Sequence, residues 1–247
     1  MTIIVSAYFQ IPSKAPHSFY LPHLKRFMKN IENHVVFFTT PDLTDMFTDM
    51  RGDLPMTIVT VASVYDIAAF QKYGYEFWKS QCDIDVEKYH TPEVAAIWYN
   101  KKEFVKAAIQ IMAGLDVPYI WCDAGCVRND SWQSIVKTFG NNVAAIPSDK
   151  LLLQTIGHRP NKMFLQYPDV YVAGAIIAGY KDTWHKCSDL YDEILPKYVA
   201  AGISCNSDQH VWATTSLTYG QHFQCVQCDY PDVVENWFRF LSYLSSI

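Results

Sequence analysis

An apolar run that ends in a charged residue constrains the fold of this chain more than any other feature. Residues 117–122 (VPYIWC) are apolar throughout, and Asp123-Ala124-Gly125 follows them directly. A short, continuously apolar run is typical of a strand that is buried on both faces, as parallel strands of α/β sheets are. Ligands of open α/β sheets bind at the carboxyl ends of the strands. The run therefore predicts a parallel strand with Asp123 as a candidate ligand of a metal ion or polar molecule; the alternative is an Asp that only caps a turn.

A long amphipathic helix is predicted immediately before this strand. Thr91 is a suitable N-cap, and Pro92 suits the first helical position. Apolar residues recur at helical spacing along one face, and Lys101 lies in the middle of that face, whereas Lys102 points away and is expected in solvent. A lysine in an apolar stripe either extends to the edge of the stripe or meets an anion. We predict that Lys101 faces inward and that its ammonium group meets Asp123 or a bound phosphate.

The rest of the chain alternates strands and helices. This alternation predicts a mostly parallel central sheet flanked by helices in a single α/β domain. Gly174 lies inside a predicted strand, where glycine often marks the close approach of a ligand or another backbone. Residues 65–90 fit no clear element, and residues 148–168 have the composition of a loop. The predicted strands are 3–9, 34–38, 56–61, 117–122, 142–147, 170–178 and 221–228, and the predicted helices are 17–30, 42–50, 91–114, 131–139, 184–201, 206–218 and 237–244.

The helix and the strand around Lys101 and Asp123 share a pattern of spaced residues. The pattern consists of Pro92, Glu93, Ile97, Trp98, Asn100, Lys101, Phe104, Val105, Ala107, Tyr119, Trp121, Asp123, Ala124, Gly125 and Arg128. It resembles the core signature of the HtrL/YibB family and covers about residues 91–130. The resemblance implies a GT-A-type glycosyltransferase fold over the whole chain, residues 1–247. In that fold a Rossmann-like half, about residues 1–128, holds the nucleotide, and the half at about residues 129–247 holds the sugar and the acceptor.

The resemblance also implies a donor site and a cation. Related GT-A enzymes carry an Asp-x-Asp motif that holds a divalent cation and the donor's ribose, and the cation neutralises the leaving diphosphate. Gly125 stands where the second Asp is expected, so only Asp123 remains. Mn²⁺ or Mg²⁺ suits one carboxylate with phosphates and water, and the layout implies His222 as a further ligand; the alternative is an ordinary histidine. The residues assigned to the donor site are Ala7, Tyr8, Thr40, Asn100, Lys101, Asp123, Ala124, Gly125 and Gly174.

Two carboxylates are candidates for the catalytic role. Asp208 opens a predicted helix and resembles the acidic position under the acceptor site of many GT-A enzymes. In such enzymes this residue deprotonates the acceptor hydroxyl or contacts the donor sugar, but helix capping explains an Asp here equally well. Asp149 follows the predicted strand 142–147 and is the rival. We predict that Asp208 lies across the sugar site from Asp123.

Composition excludes several classes of protein. The chain has 247 residues, half of them hydrophobic, which suits one sizeable globular core. Its net charge of −5 argues against nucleic acid as the main partner. Neither a signal peptide nor an apolar run of about 18 residues is visible, so we predict no transmembrane segment and a cytoplasmic protein. The seven cysteines are scattered and suggest no disulfide framework, and Cys225-x-x-Cys228 alone indicates zinc only weakly.

These observations lead to one predicted function and two alternatives. We expect a glycosyltransferase that moves a sugar from a nucleotide-sugar donor, a UDP-sugar, to a glycan or other hydroxyl acceptor with the help of a divalent cation. The first alternative is a catalytically inert module that binds nucleotides or carbohydrates on the same fold. The second is a nucleotidyl or phosphoryl transferase. It is disfavoured because the chain has no G-x-x-x-x-G-K-[ST] motif and no glycine-rich loop after its first strand.

Overall fold

A mixed sheet of seven strands forms the centre of the molecule. The computed structural model describes residues 1–113, 115–228 and 235–245. The strands are β1 (Ile3–Ala7), β2 (His34–Thr39), β3 (Met56–Thr60), β4 (Tyr119–Cys122), β5 (Leu151–Thr155), β6 (Val172–Gly179) and β7 (Phe223–Gln227). Their order in the sheet is β3-β2-β1-β4-β6-β5-β7. Strand β6 runs antiparallel to its neighbours β4 and β5, and the other neighbouring strands are parallel.

Helices cover both faces of this sheet. The helices are α1 (His17–Asn30), α2 (Thr44–Arg51), α3 (Ala68–Tyr73), α4 (Tyr75–Asp83), α5 (Pro92–Ile111), α6 (Gln133–Lys137), α7 (Lys181–Ala200), α8 (Asp208–Thr218) and α9 (Phe240–Tyr243). Side chains of β1 alternate between the faces, so that Ile3 and Val5 join one apolar core and Ile4 joins the other. The first core includes α3, α4, α5, α7 and α8, and the second includes α1, α2, α6 and α9. Within the described ranges, no helix combines the length and apolarity that crossing a membrane requires.

Helix α5 begins where the sequence predicts. Pro92 is its first residue, and the Thr91 hydroxyl accepts a hydrogen bond from the backbone N–H of Val94 at 3.3 Å. The cap satisfies one of the backbone donors that the first turn of a helix leaves without a partner. The helix ends at Ile111, and Gly114, the predicted end, lies outside the described residues.

Two of the predicted elements are wrong. Residues 142–147, predicted as a strand, contain a short 3-10 turn at Val143–Ala145. Residues 148–168, predicted as a loop, contain the buried strand β5. Both segments hold only a short apolar run, and periodicity does not distinguish a strand from a turn over so few residues. The unassigned residues 65–90 contain α3 and α4.

One edge of the sheet collects the carboxyl ends of six strands. Strands β4 and β5 run in the same direction because both are antiparallel to β6, and the parallel pairings extend this direction to β1, β2, β3 and β7. The strand order reverses between β1 and β4, since β2 and β3 lie on the far side of β1. Such a reversal opens a crevice at the carboxyl ends of the two strands. The fold therefore places a ligand site after Ala7 and after Cys122.

A buried arginine joins α1, α2 and the strand β3. The Arg51 guanidinium donates to the carbonyl oxygens of Met28 at 2.8 Å and Ile31 at 2.6 Å. It also donates to those of Asn33 at 2.7 Å and Pro55 at 2.9 Å. Burial lowers the pKa of Arg51 to about 10, which leaves the group charged at neutral pH. These four bonds satisfy carbonyl groups at the end of α1, before β2 and before β3.

Replacement of this arginine tests its structural role. Arg51→Met keeps much of the apolar stem but leaves buried carbonyl groups without donors, so we expect the free energy of unfolding to fall by about 3 kcal/mol. Urea unfolding followed by circular dichroism measures the change. Lys79→Met, at an exposed i,i+4 ion pair with Asp83, is the control and should leave stability essentially unchanged, because exposed ion pairs contribute little. Equal stability of the two variants would contradict the role given to Arg51.

Candidate active site

A pocket of about 360 Å³ lies at the edge of the sheet where the strand order reverses. Its walls come from the segment after β1, the first half of α1, the first half of α5 and the end of β4. The volume lies within the range of about 300–1,000 Å³ that is typical of small-molecule sites. The pocket is therefore the candidate active site of this chain.

The Asp123 side chain faces this pocket from the carboxyl end of β4. Its backbone N–H donates to the carbonyl oxygen of Ala175 at 2.8 Å, which continues the pairing of β4 with β6. Its Oδ1 accepts a hydrogen bond from Trp121 Nε1 at 2.7 Å. The side chain is 36% exposed, and the small residues Ala124 and Gly125 line the pocket beside it. Asp123 can therefore accept further hydrogen bonds from a ligand.

Lys101 faces inward, as its place in the apolar stripe predicts. Its Nζ lies 3.1 Å from Asp123 Oδ1, 2.9 Å from Asp208 Oδ2 and 2.9 Å from the carbonyl oxygen of Gly174. Burial acts to lower the pKa of Lys101, but the carboxylates of Asp123 and Asp208 outweigh it, and the pKa is raised. The ammonium group is therefore charged at neutral pH and is held by three oxygen acceptors.

Asp208 lies on the buried side of this ammonium group, at the first residue of α8. Its side chain is 6% exposed and is not among the described residues that line the pocket. Gly174 packs against it, and a Cβ atom at Gly174 would lie 2.6 Å from Asp208 Oδ2. Burial raises the pKa of Asp208 to about 6, with Lys101 opposing the shift and Asp123 adding to it. Because Gly174 has no side chain, the Asp208 carboxylate fits against β6.

The first half of α5 forms one wall of the pocket. Val94, Ile97 and Trp98 line the cavity one and two turns before Lys101. Farther along the same stripe, from Phe104 onwards, the side chains are buried in the core. The same apolar face of α5 therefore lines the pocket in its first half and packs in the core in its second half. Helical spacing in the sequence does not show where the first half ends.

Three cationic side chains line the pocket although the chain is acidic. The net charge of the chain is −5, yet Lys14, Lys101 and Arg128 line the pocket. Within the described part of the chain, Asp123 is the one carboxylate in this lining. Lys14 Nζ lies 4.6 Å from the centroid of the Tyr89 ring, so this ammonium group is held by a cation–π contact. Lys101 is already paired with Asp123 and Asp208, so Lys14 and Arg128 are the cations that favour an anionic ligand.

Uncharged hydrogen-bonding groups lie beside these cations. The Tyr8 hydroxyl is 2.5 Å from His17 Nδ1, and burial raises the pKa of Tyr8 to about 12. Burial lowers the pKa of His23, and the nearby Arg128 and Arg26 lower it further. At neutral pH, Tyr8 is therefore an intact hydroxyl and His23 an uncharged imidazole.

Asp85, Glu87 and His90 form a triad that could hold a divalent cation. Each offers one ligand atom, and these atoms lie within 4.8 Å of one another. His90 lines the pocket, and its ring centroid is 4.8 Å from that of Trp98. Its Nδ1 is 2.6 Å from Asp85 Oδ2. Carboxylate oxygen and imidazole nitrogen are ligands that suit Mn²⁺.

Most residues that the sequence assigned to the donor site line the pocket. Thr40 follows β2, one strand farther from the reversal, and is not among the described lining residues. Asn100 points into the core, where its Oδ1 accepts a hydrogen bond from the Ala69 N–H at 2.9 Å. Gly174 reaches the site only through its carbonyl bond to Lys101. The assigned residues that do line the pocket are Ala7, Tyr8, Lys101, Asp123, Ala124 and Gly125.

The structure does not bring His222 and Asp149 to this site. Asp123 follows the carboxyl end of β4, whereas Asp149 and His222 precede the amino ends of β5 and β7, which run in the same direction. The five residues of β5 span about 16 Å, and this length separates the two edges. His222 therefore cannot share a metal ion with Asp123, and Asp149 cannot reach a sugar bound beside Asp123.

Sequence reasoning missed the pocket's other polar residues. Lys14 lies in the loop after β1, and the metal-capable triad Asp85, Glu87 and His90 lies in the stretch that fitted no element. For Lys14, the sequence did contain a signal. Residues that follow the first strand of such a fold border the same crevice as Asp123, and Lys14 lies in that segment.

Comparison with known proteins establishes the fold. No protein-family model matches the chain, and no curated protein matches it by sequence. Its structure is similar to the crystal structure of mouse xyloside xylosyltransferase 1 in the apo form, with a TM-score of 0.54 and 13% sequence identity. The similarity covers 97% of this chain and 94% of that chain. The chain has a GT-A-like fold. The predicted fold class is thereby confirmed, and at this identity the likeness shows the fold alone.

The burial of Asp208 makes stability depend on pH. An Asp in the unfolded chain has a pKa of about 3.9, and burial raises the pKa of folded Asp208 to about 6. Between these values the folded protein binds a proton that the unfolded chain has released. The contribution of Asp208 to the free energy of unfolding therefore falls as the pH rises from about 4 to about 6. Over this range the free energy of unfolding of the wild-type protein should fall relative to that of Asp208→Asn.

Urea unfolding at intervals across that pH range measures the effect. Asp149→Asn, at an exposed position on the opposite edge of the sheet, is the control and should follow the wild-type curve. If Asp208→Asn also follows the wild-type curve, Asp208 does not titrate in this window.

Proposed function

We propose that this protein is a glycosyltransferase that transfers a sugar from a nucleotide-sugar donor to a hydroxyl group of an acceptor. One observation carries the proposal: an acidic chain places Lys14, Lys101 and Arg128 around a pocket at the strand-order reversal of a GT-A-like sheet. The similar fold belongs to a protein named as a xylosyltransferase. Fold alone does not determine chemistry, so the charge of the pocket is the stronger argument.

A nucleoside diphosphate matches the chemistry of this pocket. Tyr8, Tyr20 and Trp98 are among the aromatic side chains that line it and offer surfaces for a base or a sugar. Lys14 and Arg128 offer charged donors to phosphate oxygens. Following the family resemblance, we propose a UDP-sugar as the donor and a glycan or another hydroxyl compound as the acceptor.

The cations of the pocket would assist the departure of the diphosphate. As the bond between sugar and phosphate breaks, negative charge grows on the leaving group. Fixed positive groups beside that position stabilise the transition state more than the ground state. Arg128 is 43% exposed and pairs with Glu235 at 3.3 Å, so its guanidinium retains donors for a phosphate.

Asp123 and Asp208 have separate roles in this proposal. The exposed edge of Asp123 accepts hydrogen bonds from hydroxyl groups of the donor. A general base must reach the proton it removes within about 2.6–3.2 Å or through one water, but Asp208 lies behind Lys101, outside the described lining of the pocket. We therefore assign Asp208 to holding Lys101 in place, instead of the role on the acceptor that the sequence suggested.

The Asp85–Glu87–His90 triad is where Mn²⁺ or Mg²⁺ would be held. Its ligand atoms are close enough for one ion, and His90 brings the group to the pocket wall. When bound, such a cation supplies positive charge that helps neutralise a diphosphate. Asp123 and His222, the ligands suggested by sequence, lie at opposite edges of the sheet and do not fit one ion.

The proposal includes membership of the HtrL/YibB family and a division of labour along the chain. Membership is supported by the sequence pattern at about residues 91–130. The nucleotide would contact the part of the chain up to about residue 128, which supplies most of the pocket lining. The sugar and acceptor would extend toward the part that follows.

Nucleotide binding is the first test. We expect UDP and UDP-sugars to raise the melting temperature, because a ligand that binds only the folded state stabilises it. Purified protein should also hydrolyse its preferred UDP-sugar slowly when no acceptor is present. A protein that binds the nucleotide but neither hydrolyses nor transfers the sugar would be the inert module, and no response to any nucleotide or nucleotide sugar would exclude both.

The positive wall gives a second prediction. Arg128→Met removes a charged donor from the pocket, and we expect the dissociation constant for UDP to rise about tenfold, the effect of losing roughly 1.4 kcal/mol. Isothermal titration calorimetry measures it. Arg159→Met is the matched control, because Arg159 is exposed and is not among the described lining residues. The same loss in both variants would show that only the overall charge of the protein matters.

A further inference from the structure

The surroundings of Lys101 have the composition of a metal site. Three oxygen atoms from three separate segments meet at its Nζ, and they belong to Asp123 after β4, Asp208 at the start of α8 and Gly174 within β6. Carboxylate and carbonyl oxygens are the ligands that Mg²⁺ and Mn²⁺ prefer. The ammonium group lies among them with 4% of its side chain exposed.

The Lys101 ammonium group is the counter-charge for both carboxylates of this cluster. It donates hydrogen bonds to the carbonyl oxygen of Gly174 at 2.9 Å and to Asp123 Oδ2 at 3.4 Å. It also lies 2.9 Å from Asp208 Oδ2, a buried oxygen without a hydrogen-bond partner among the described residues, as an ion pair. The charge of the ammonium group also separates two carboxylates that would otherwise repel each other. Removal of a cation from such a buried cluster leaves uncompensated negative charge.

A divalent cation beside Asp123 disagrees with this arrangement. Asp123 Oδ1 already accepts from Trp121 and lies close to Lys101. Gly125 stands where the Asp-x-Asp motif has its second carboxylate, and no other carboxylate is present in the described lining of the pocket. A divalent ion bound to Asp123 would therefore have one protein ligand and a fixed positive charge a few ångströms away.

We propose that the Lys101 ammonium group is the resident cation of this site. It occupies the position beside Asp123 that the sequence assigned to Mn²⁺ or Mg²⁺, so that a nucleoside diphosphate binds there without a divalent cation on Asp123, whether or not the Asp85–Glu87–His90 triad holds one. The inference deepens the proposed function and rests on it for the identity of the ligand. Lys14 and Arg128, which keep donors toward the pocket, then neutralise the diphosphate directly.

Affinity for UDP gives the first test. Calorimetric titrations of Glu87→Gln, in which the Asp85–Glu87–His90 triad lacks one ligand, are made in EDTA and again with excess Mn²⁺, and we expect the two dissociation constants to agree within about threefold. A loss of about tenfold or more in EDTA would overturn the proposal. Glu87 is not among the described residues that line the pocket, and a thermal unfolding curve verifies that this variant is folded.

Replacement of Lys101 gives a second test, in which we expect UDP binding to become dependent on a metal ion. Lys101→Ala leaves two carboxylates and a carbonyl group around an empty position, which is a ligand set for a divalent cation. We expect its UDP affinity in EDTA to fall by about tenfold or more, and Mn²⁺ to restore it. Lys102→Ala is the matched control: Lys102 is the next residue, is equally buried, and pairs with Glu103 and Asp192 away from the pocket. Undiminished affinity of Lys101→Ala in EDTA would overturn the proposal.

Manganese binding alone separates this inference from the proposed function. Electron paramagnetic resonance counts bound Mn²⁺ without any nucleotide. We expect Asp123→Asn to leave the Mn²⁺ binding of the wild-type protein unchanged, and Lys101→Ala to gain one site that disappears in Lys101→Ala/Asp123→Asn. Loss of a wild-type Mn²⁺ site in Asp123→Asn would refute the role of Lys101. If UDP fails to bind in either buffer, the proposed function fails, while this measurement still decides the identity of the cation.

Discussion

The buried contact between Lys101 and two carboxylates is the interaction on which the rest of the structure depends. It joins α5, the end of β4, the interior of β6 and the start of α8 at one nitrogen atom. A charge that is removed from water is tolerated only when it is paired and hydrogen-bonded. Helices α5 and α8 must therefore lie on the same face of the sheet, and β6 must be placed so that a glycine faces Asp208. The floor of the pocket is positioned by the same contacts.

The contact between Lys101 and Asp123 could be predicted because two local patterns pointed to the same place. Helical spacing directed Lys101 inward, and the end of an apolar strand exposed a carboxylate at the ligand edge. The same spacing placed Lys102 in solvent, and that prediction is wrong. Lys102 is buried with its Nζ 3.0 Å from Asp192 of α7 and 4.2 Å from the Tyr99 ring centroid. A second helix covers this side of α5, and the sequence of one helix does not show which neighbours will cover it.

Predictions for the second half of the chain were weaker because they required the direction of each strand. The apolar pattern identified β6 and β7, but a buried strand has the same pattern in either direction. Asp149 was placed after a strand that the structure does not contain, and it precedes β5 instead. His222 precedes β7, and because β5 and β7 run in the same direction as β4, both residues lie at the edge away from Asp123. The approach of Lys14 to Arg128 could not be predicted either, since these two residues come together only when the order of β1 and β4 is known. The sequence shows which chemical groups lie near one helix or strand, but it does not show which distant segments come into contact.

The antiparallel strand β6 has a consequence for how the fold can diversify. Strand β5 ends at the edge that carries the pocket, and β6 begins at that same edge, so residues 156–171 connect them without crossing the sheet. A parallel connection would have to return across the sheet, usually through a helix. Insertions in the exposed stretch 161–163 of this connection would enlarge the edge of the sheet that carries the pocket without altering the register of the strands. The buried Leu165, whose backbone bonds the Tyr198 hydroxyl of α7, keeps the rest of the connection in place. The molecule thus separates a fixed electrostatic framework from a few exposed residues whose number and composition are free to change.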